Sequence, residues 1–201
     1  MAEQTALANA RQTGIVPVYL VWVRARDLAT GAGDPIGFWE WPEDITATVI
    51  DGETGAQVAR TFVGGAGLSV GDITYVSDLT IQSVDVSMSQ IADATQELVR
   101  GRNIRMAPIE IYDGLIDPAT MAFVAPPRPA FVGTIDGAPI TTPAAGGEGN
   151  ITLTARSELM TMLTMVNPAK SSHAAQLRRG GDQFGAYAST VATWNLTLGK
   201  K

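Results

Sequence analysis

The only histidine in this chain of 201 residues is His173, so a serine triad or an imidazole base would have to be built on it. Its surroundings, NPAKSSHAAQLRRGG, form a polar connection, and no G-x-S-x-G elbow occurs anywhere. A solvent-facing histidine is the simpler expectation. A lone histidine also excludes H-E-x-x-H zinc chemistry. The absence of cysteine removes thiolate nucleophiles, disulfides and thiolate-bound metals. Carboxylate pairs remain. Glu110, Asp113 and Asp136 fall nearest to expected strand ends, and two such groups could hydrolyse a glycosidic bond. Against this, Asp113-Gly114 and Asp136-Gly137 read as turn dipeptides, and Asp113 with Asp117 is too sparse an oxygen set for calcium. Gly64, Gly65, Gly67 and Gly71 lack the GK[ST] of a phosphate loop and are better read as a flexible connection. No cofactor or metal is expected.

The remaining chemistry is that of surfaces. Arg100, Arg102 and Arg105 follow the end of a predicted helix, where positive charge complements the helix dipole; Arg178 and Arg179 form a second basic pair. Both groups are either solvated surface or contacts to an acidic neighbour. Phe38, Trp39 and Trp41 form an aromatic patch that fits a core or interface, while Trp39, Trp41 and Trp194 would serve a carbohydrate-binding module if exposed. Net charge is −6, which argues against a surface built to neutralise nucleic-acid phosphates. The charge is uneven: residues 1–119 hold 16 acids and 7 basic residues, and residues 120–201 hold 4 and 7. Ordinary solvated surface explains that, and so does head-to-tail association of acidic and basic faces.

These residues hang on a core expected over Ile81 to Tyr112, where the hydrophobic period changes twice. Ile81, Val84, Val86 and Met88 mostly alternate with polar residues, as in a half-wet strand. Ile91, Ala92, Thr95, Leu98 and Val99 then share one helix face. Ser87 and Gln90 suggest a capping box, and Gly101 a left-handed C-cap. Ile104, Met106, Ile109 and Ile111 predict a second strand.

Upstream, Ile15 to Val23 reads as a buried strand with Pro17 at an edge or bulge, and Asp27 to Pro35 as the turn of a hairpin. Thr46 to Ile50, Gln57 to Val63 and Asp72 to Val76 read as a meander. Downstream, Ala130 to Asp136 and Ile151 to Ala155 predict strands, Pro139 to Gly149 a loop, and Ser157 to Met165 a short helix whose methionines fill core gaps. Neither a signal peptide nor an apolar run of about 18 residues is evident.

The closing stretch, SSHAAQLRRGGDQFGAYASTVATWNLTLG, resembles the ending of distal-tail and baseplate-hub (tail-tip) proteins of long-tailed phages and gene transfer agents. The matching residues are Ser172, Gln176, Arg178, Arg179, Gly181, Asp182, Phe184, Tyr187, Val191 and Trp194. Gly180 stands where that family has proline, and LTLG replaces a shorter ending. The likeness extends back through Thr152 to Ser157, the F-x-G-x-I-D residues Phe131, Gly133, Ile135 and Asp136, the central unit, the glycine-rich turn before Leu68, and Phe38 to Thr46.

The resemblance implies a mainly β, α+β fold: a β-sandwich or split barrel like tail-tube and hub domains, as one domain over 1–201. It would carry an N-terminal arm over 1–14, a flanking helix near 89–100, and a helix-strand extension over 171–201 with its helix near 182–192. Asp182 would cap that last helix and place Phe184, Tyr187 and Val191 against the sheet. The implied role is a non-enzymatic virion protein, assembled in the host cytoplasm into a closed ring, three- or six-fold, joining tail tube to tip and fibre proteins. DNA would only pass through its channel, whose wall should repel it. Subunit contacts would involve Arg100, Arg102, Arg105, Arg178, Arg179 and Asp182.

Overall fold

The computed structural model describes residues 14–75, 81–141, 149–158, 172–188, 190–195 and 199. The chain divides into two compact units, Met1–Leu163 and Thr164–Lys201. The expected arm over 1–14, apart from Gly14, lies outside the described residues, as do residues 159–165 of the expected helix over Ser157 to Met165 and residues 196–198, 200 and 201 of the closing extension.

The fold is mainly β. In chain order the strands of the first unit are β1 (Val16–Val23), β2 (Arg26–Asp27), β3 (Ile36–Trp39), β4 (Ile45–Ile50), β5 (Gln57–Phe62), β6 (Ser69–Val70) and β7 (Ser83–Ser89). Helix α1 (Asp93–Gly101) follows, then β8 (Arg102–Asn103), β9 (Pro108–Asp117), β10 (Ala122–Phe123), β11 (Arg128–Gly137), β12 (Ile140–Thr141) and β13 (Asn150–Ser157). One large antiparallel sheet runs β3-β1-β9-β11-β13-β7-β6, with β10 beside β9 and β12 beside β13. Ribbons β2-β8 and β4-β5 stand apart from it. β3 pairs only with Leu20–Val23 of β1, so Pro17 lies where β1 has no partner on that side and its missing N–H costs no ladder bond.

Alternation along the strands gives the sheet two unlike faces. On one, Val21, Val23, Ile109, Ile111, Phe131, Ile135, Leu153, Val84 and Val86 form a continuous buried layer, closed by Leu98 of α1 together with Ala25, Ala66, Leu68 and Ile104. Leu98 is fully buried, which contributes about 1.5–3 kcal/mol to docking the helix. On the other face, hairpin β4-β5 covers β1 and β9 through Val18, Leu20, Trp39, Val49, Phe62 and Tyr112.

Several local expectations are corrected. Helix α1 begins at Asp93 with no side-chain cap; Ser87 is inside β7, and Ile91 lies before the helix with 81% of its surface exposed. The start is held instead by the Gln96 side-chain amide, which donates to the Gln90 carbonyl. Gly101 is the last helical residue and the chain passes directly into extended Arg102, with no left-handed cap. Ile104 and Met106 precede the strand, Met106 adopting φ 57°. Asp113-Gly114 is not a turn but lies within β9, where a Cβ on Gly114 would come 2.8 Å from the Phe123 ring. Asp136 sits at a bulge of β11, and the strand expected from Asp72 is found earlier, at Ser69–Val70.

In the second unit, helix α2 spans His173–Arg178, capped by the Ser172 hydroxyl, which accepts from Ala175 N at 3.3 Å. Among the described residues of 182–192 the expected helix is not found: Gly180 and Gly181 take φ 95° and 79°, and a 3-10 turn occupies Val191–Thr193. Asp182 does not cap it; its carboxylate accepts from Phe184 N, two residues on, the geometry of an Asx-turn. Phe184, Tyr187 and Val191 are exposed rather than buried.

Candidate functional site

The chemistry-bearing side chains of the first unit converge where the β4-β5 hairpin crosses the sheet. Arg60 occupies an inward position of β5, level with Phe62, and Glu110 an inward position of β9, opposite Trp22 of β1. Arg60 Nη1 donates to Glu110 Oε2 at 3.0 Å and to the Tyr112 hydroxyl, and Tyr112 in turn donates to Glu110 Oε2. Arg60 Nη2 pairs with Asp51 Oδ2. Gly52 N donates to Glu110 Oε2 at 3.0 Å; a Cβ there would meet Val132 at 2.7 Å, so only glycine lets this turn rest on the sheet. Arg24 Nη2 lies 3.6 Å from Glu110 Oε1, and Arg24 Nη1 pairs with Glu53. The Arg60 guanidinium stacks 4.9 Å from the Trp22 ring.

Arg60, Asp51, Glu110 and Tyr112 of this network are buried. Glu110 has no exposed surface, so the carboxylate chemistry considered for it with Asp136 has no access there; Asp136 is half exposed and pairs with Arg156 at 2.9 Å. Burial first, then the bond to Glu110, pushes the Tyr112 phenol far above its ordinary value. Asp51 is held below the usual carboxylate range, chiefly by the Thr54 backbone N–H, with the Thr54 hydroxyl and Arg60 adding to it. Breaking such a buried set by removing one partner costs about 3–5 kcal/mol.

Beside the network lies an open groove of about 600 Å³, lined by Trp22, Arg24, Gly37, Arg60, Thr61 and Arg102 among others. It lies between β3 and β5, which are joined by backbone bonds just past the end of β5: Val63 N donates to Gly37 O at 2.8 Å and Trp39 N donates to Val63 O at 3.2 Å.

Beyond the hairpin, the same face of the sheet continues as a hydroxyl surface. Ser83, Asp85 and Ser87 of β7 stand opposite Arg156, Thr154 and Thr152 of β13, with Thr134 of β11 across from Arg156. Thr154 Oγ1 donates to Asp85 at 2.8 Å, and the Ser87 and Thr152 hydroxyls lie 3.4 Å apart. Neither apolar cluster includes a residue of this half.

The arginines singled out from the sequence separate. Arg102 is largely buried and pairs with Asp34 at 2.7 Å and Glu97 at 3.2 Å, so it ties α1 to the β2-β3 turn. Arg100 and Arg105 are exposed, with no ion pair among the described residues. Arg178, Arg179 and Asp182 are exposed in the second unit, and His173 opens α2. No group of three metal-ligating side chains occurs among the described residues, and no described helix is long and apolar enough to cross a membrane. Trp39 is buried, which removes it as a stacking platform; Trp41 is partly buried, its ring 5.5 Å from that of Trp39, and Trp194 is half exposed, its ring 5.7 Å from Tyr187. The Arg60 network was missed by sequence reasoning, although an arginine in register with Phe62, and a glutamate between Ile109 and Ile111, each mark a charge on an inward face.

No family model matches the chain, and none of the curated proteins matches it.

Proposed function

We propose that this chain is a structural subunit of a phage tail tip or baseplate hub, forming a ring that joins the tail tube to distal tip and fibre components and surrounds the DNA channel. The observation that carries the proposal is the hydroxyl half-face on β7, β13 and β11. A wall that DNA must slide along needs hydration and no uncompensated cation, because each phosphate neutralised by lysine or arginine adds affinity through counterion release. Here the one arginine, Arg156, is paired with Asp136, and Asp85 adds negative charge. The resemblance over Ser172 to Trp194 and the mainly β fold support the same reading.

Mass measurement of the purified chain and its co-purification with tail subunits test it. A closed ring that binds tube or fibre proteins is expected. A strict monomer that binds glycans on an array would favour a carbohydrate-binding module, a reading that the exposed Trp194-Tyr187 pair supports.

A further inference from the structure

We propose that copies of this chain associate head to tail, the C-terminal unit of one copy seating Arg178, Arg179 and its exposed aromatics at the groove beside β5 of a second copy. The inference rests on the ring-subunit reading and names the contact that would build the ring.

Charge is divided as the fold is. Residues 1–163 hold 19 acids and 9 basic residues, and residues 164–201 hold 1 acid and 5 basic residues, so the two units carry −10 and +4. At the groove the imbalance is local. Arg24, Arg60 and Arg102 face five carboxylates, those of Asp34, Asp51, Glu53, Glu97 and Glu110. Three of the five have exposed side chains: Glu97, which lines the groove, at 64%, and Asp34 at 40% and Glu53 at 63%, each paired with a lining arginine. Three guanidiniums against five carboxylates leave a surplus of two negative charges around the groove. An anionic ligand is therefore disfavoured here, and a cationic one favoured.

The shape fits an inserted segment. β5 pairs with β4, and no other described strand pairs with its second edge along Gln57–Arg60. The volume is within the range of sites that enclose a ligand of several large groups, and Trp22 provides an aromatic wall. The second unit supplies a matching surface. Arg178 and Arg179 are exposed with no carboxylate in ion-pair range among the described residues, and Leu177, Phe184, Tyr187, Val191 and Trp194 are exposed within the same 18 residues. Aromatic and arginine side chains are the ones that dominate protein interfaces. Because groove and C-terminal unit are different surfaces, the contact is heterologous and propagates into a ring or filament.

Charge exchange in the full-length chain tests this, read as sedimentation across protein and salt concentration. Wild type should self-associate, less so at high salt. R178E/R179E and E53K/E97K should each weaken association about tenfold or more, and the quadruple variant should recover most of the loss. Association unaffected by R178E/R179E overturns the proposal, as does a folded quadruple variant without recovery. The arginine pair lies outside the β-sheet unit, so its reversal remains decisive even where E97K disturbs Arg102. If wild type forms rings with tail subunits yet ignores both reversals, the groove assignment falls and the tail-tip reading stands. A wild type that is monomeric at every concentration removes both.

Discussion

One face of the large sheet is used in two opposite ways. Over β1 and β9 it is covered by the β4-β5 hairpin, and charge is drawn inside: Arg60 bonds Asp51, Glu110 and Tyr112, all four of them buried. Over β7 and β13 no described strand or helix of the core covers it, and Ser87, Thr152, Thr154 and Asp85 meet solvent in short cross-strand bonds. The difference teaches that charge in this fold marks where the structure is locked, whereas the surface proposed for function is chemically quiet. A wall for sliding DNA needs that quietness, and a subunit held in a mechanical assembly needs the locked half.

The largest expected effect comes from opening the locked half. Arg60→Met removes the nearer of the two cations beside buried Glu110 and leaves buried Asp51 without its own, and should destabilise the fold by about 3–5 kcal/mol in urea titration. A loss under about 1 kcal/mol would mean that Glu110 reaches water and the two halves do not differ as described.

A smaller effect separates two copies of one turn. Asp27-Leu-Ala-Thr-Gly-Ala and Asp51-Gly-Glu-Thr-Gly-Ala fold alike: each aspartate Oδ1 accepts from the residue two on and from the N–H and hydroxyl of the threonine three on. Only Asp51 uses its other oxygen, on Arg60. Asp51→Ala should therefore lower the melting temperature more than Asp27→Ala. Both carboxyls are held below their ordinary value, Asp27 chiefly by the Thr30 hydroxyl and Asp51 chiefly by the Thr54 N–H. A depressed folded value means stability present above the unfolded value of about 3.9 and lost as pH falls through the folded one. Between about pH 5 and 2, Asp51→Asn should flatten the stability curve more than Asp27→Asn; equal slopes would detach Asp51 from the network.

The smallest effect on stability is expected on the open half. Thr152→Lys should change unfolding free energy by no more than about 0.5 kcal/mol. It places a cation on the proposed wall, so DNA delivery by particles carrying it should fall while assembly persists. A large stability loss would mean that this half is packed and not a free surface.

Much of this was legible in the sequence, for reasons that depend on range. The turn that begins at Asp27 and the alternation of Val84, Val86 and Met88 are local signals, and they fold as expected. The Asp51-Arg60 pair and the contact of Arg60 with Glu110, 50 residues away, depend on which face the hairpin covers, which no local pattern states. Asp113-Gly114 misleads for the same reason: its composition suits a turn, but pairing on both sides keeps β9 extended through it. In the second unit, Gly180, Gly181 and the β-branched Thr190, Val191 and Thr193 outweigh the helical spacing of Phe184, Tyr187 and Val191. The helical turn forms instead at His173–Arg178, behind a serine cap.

The central claim places the hydroxyl half-face at a channel. A density map of the assembled particle, at a resolution that traces strands, tests it most directly. The account predicts a closed ring with β7 and β13 turned to the lumen, Ser87, Thr152 and Thr154 along the wall and no unpaired lysine or arginine among them. A ring with this half-face on its outer surface, or a lumen lined mainly by lysine and arginine, would contradict it.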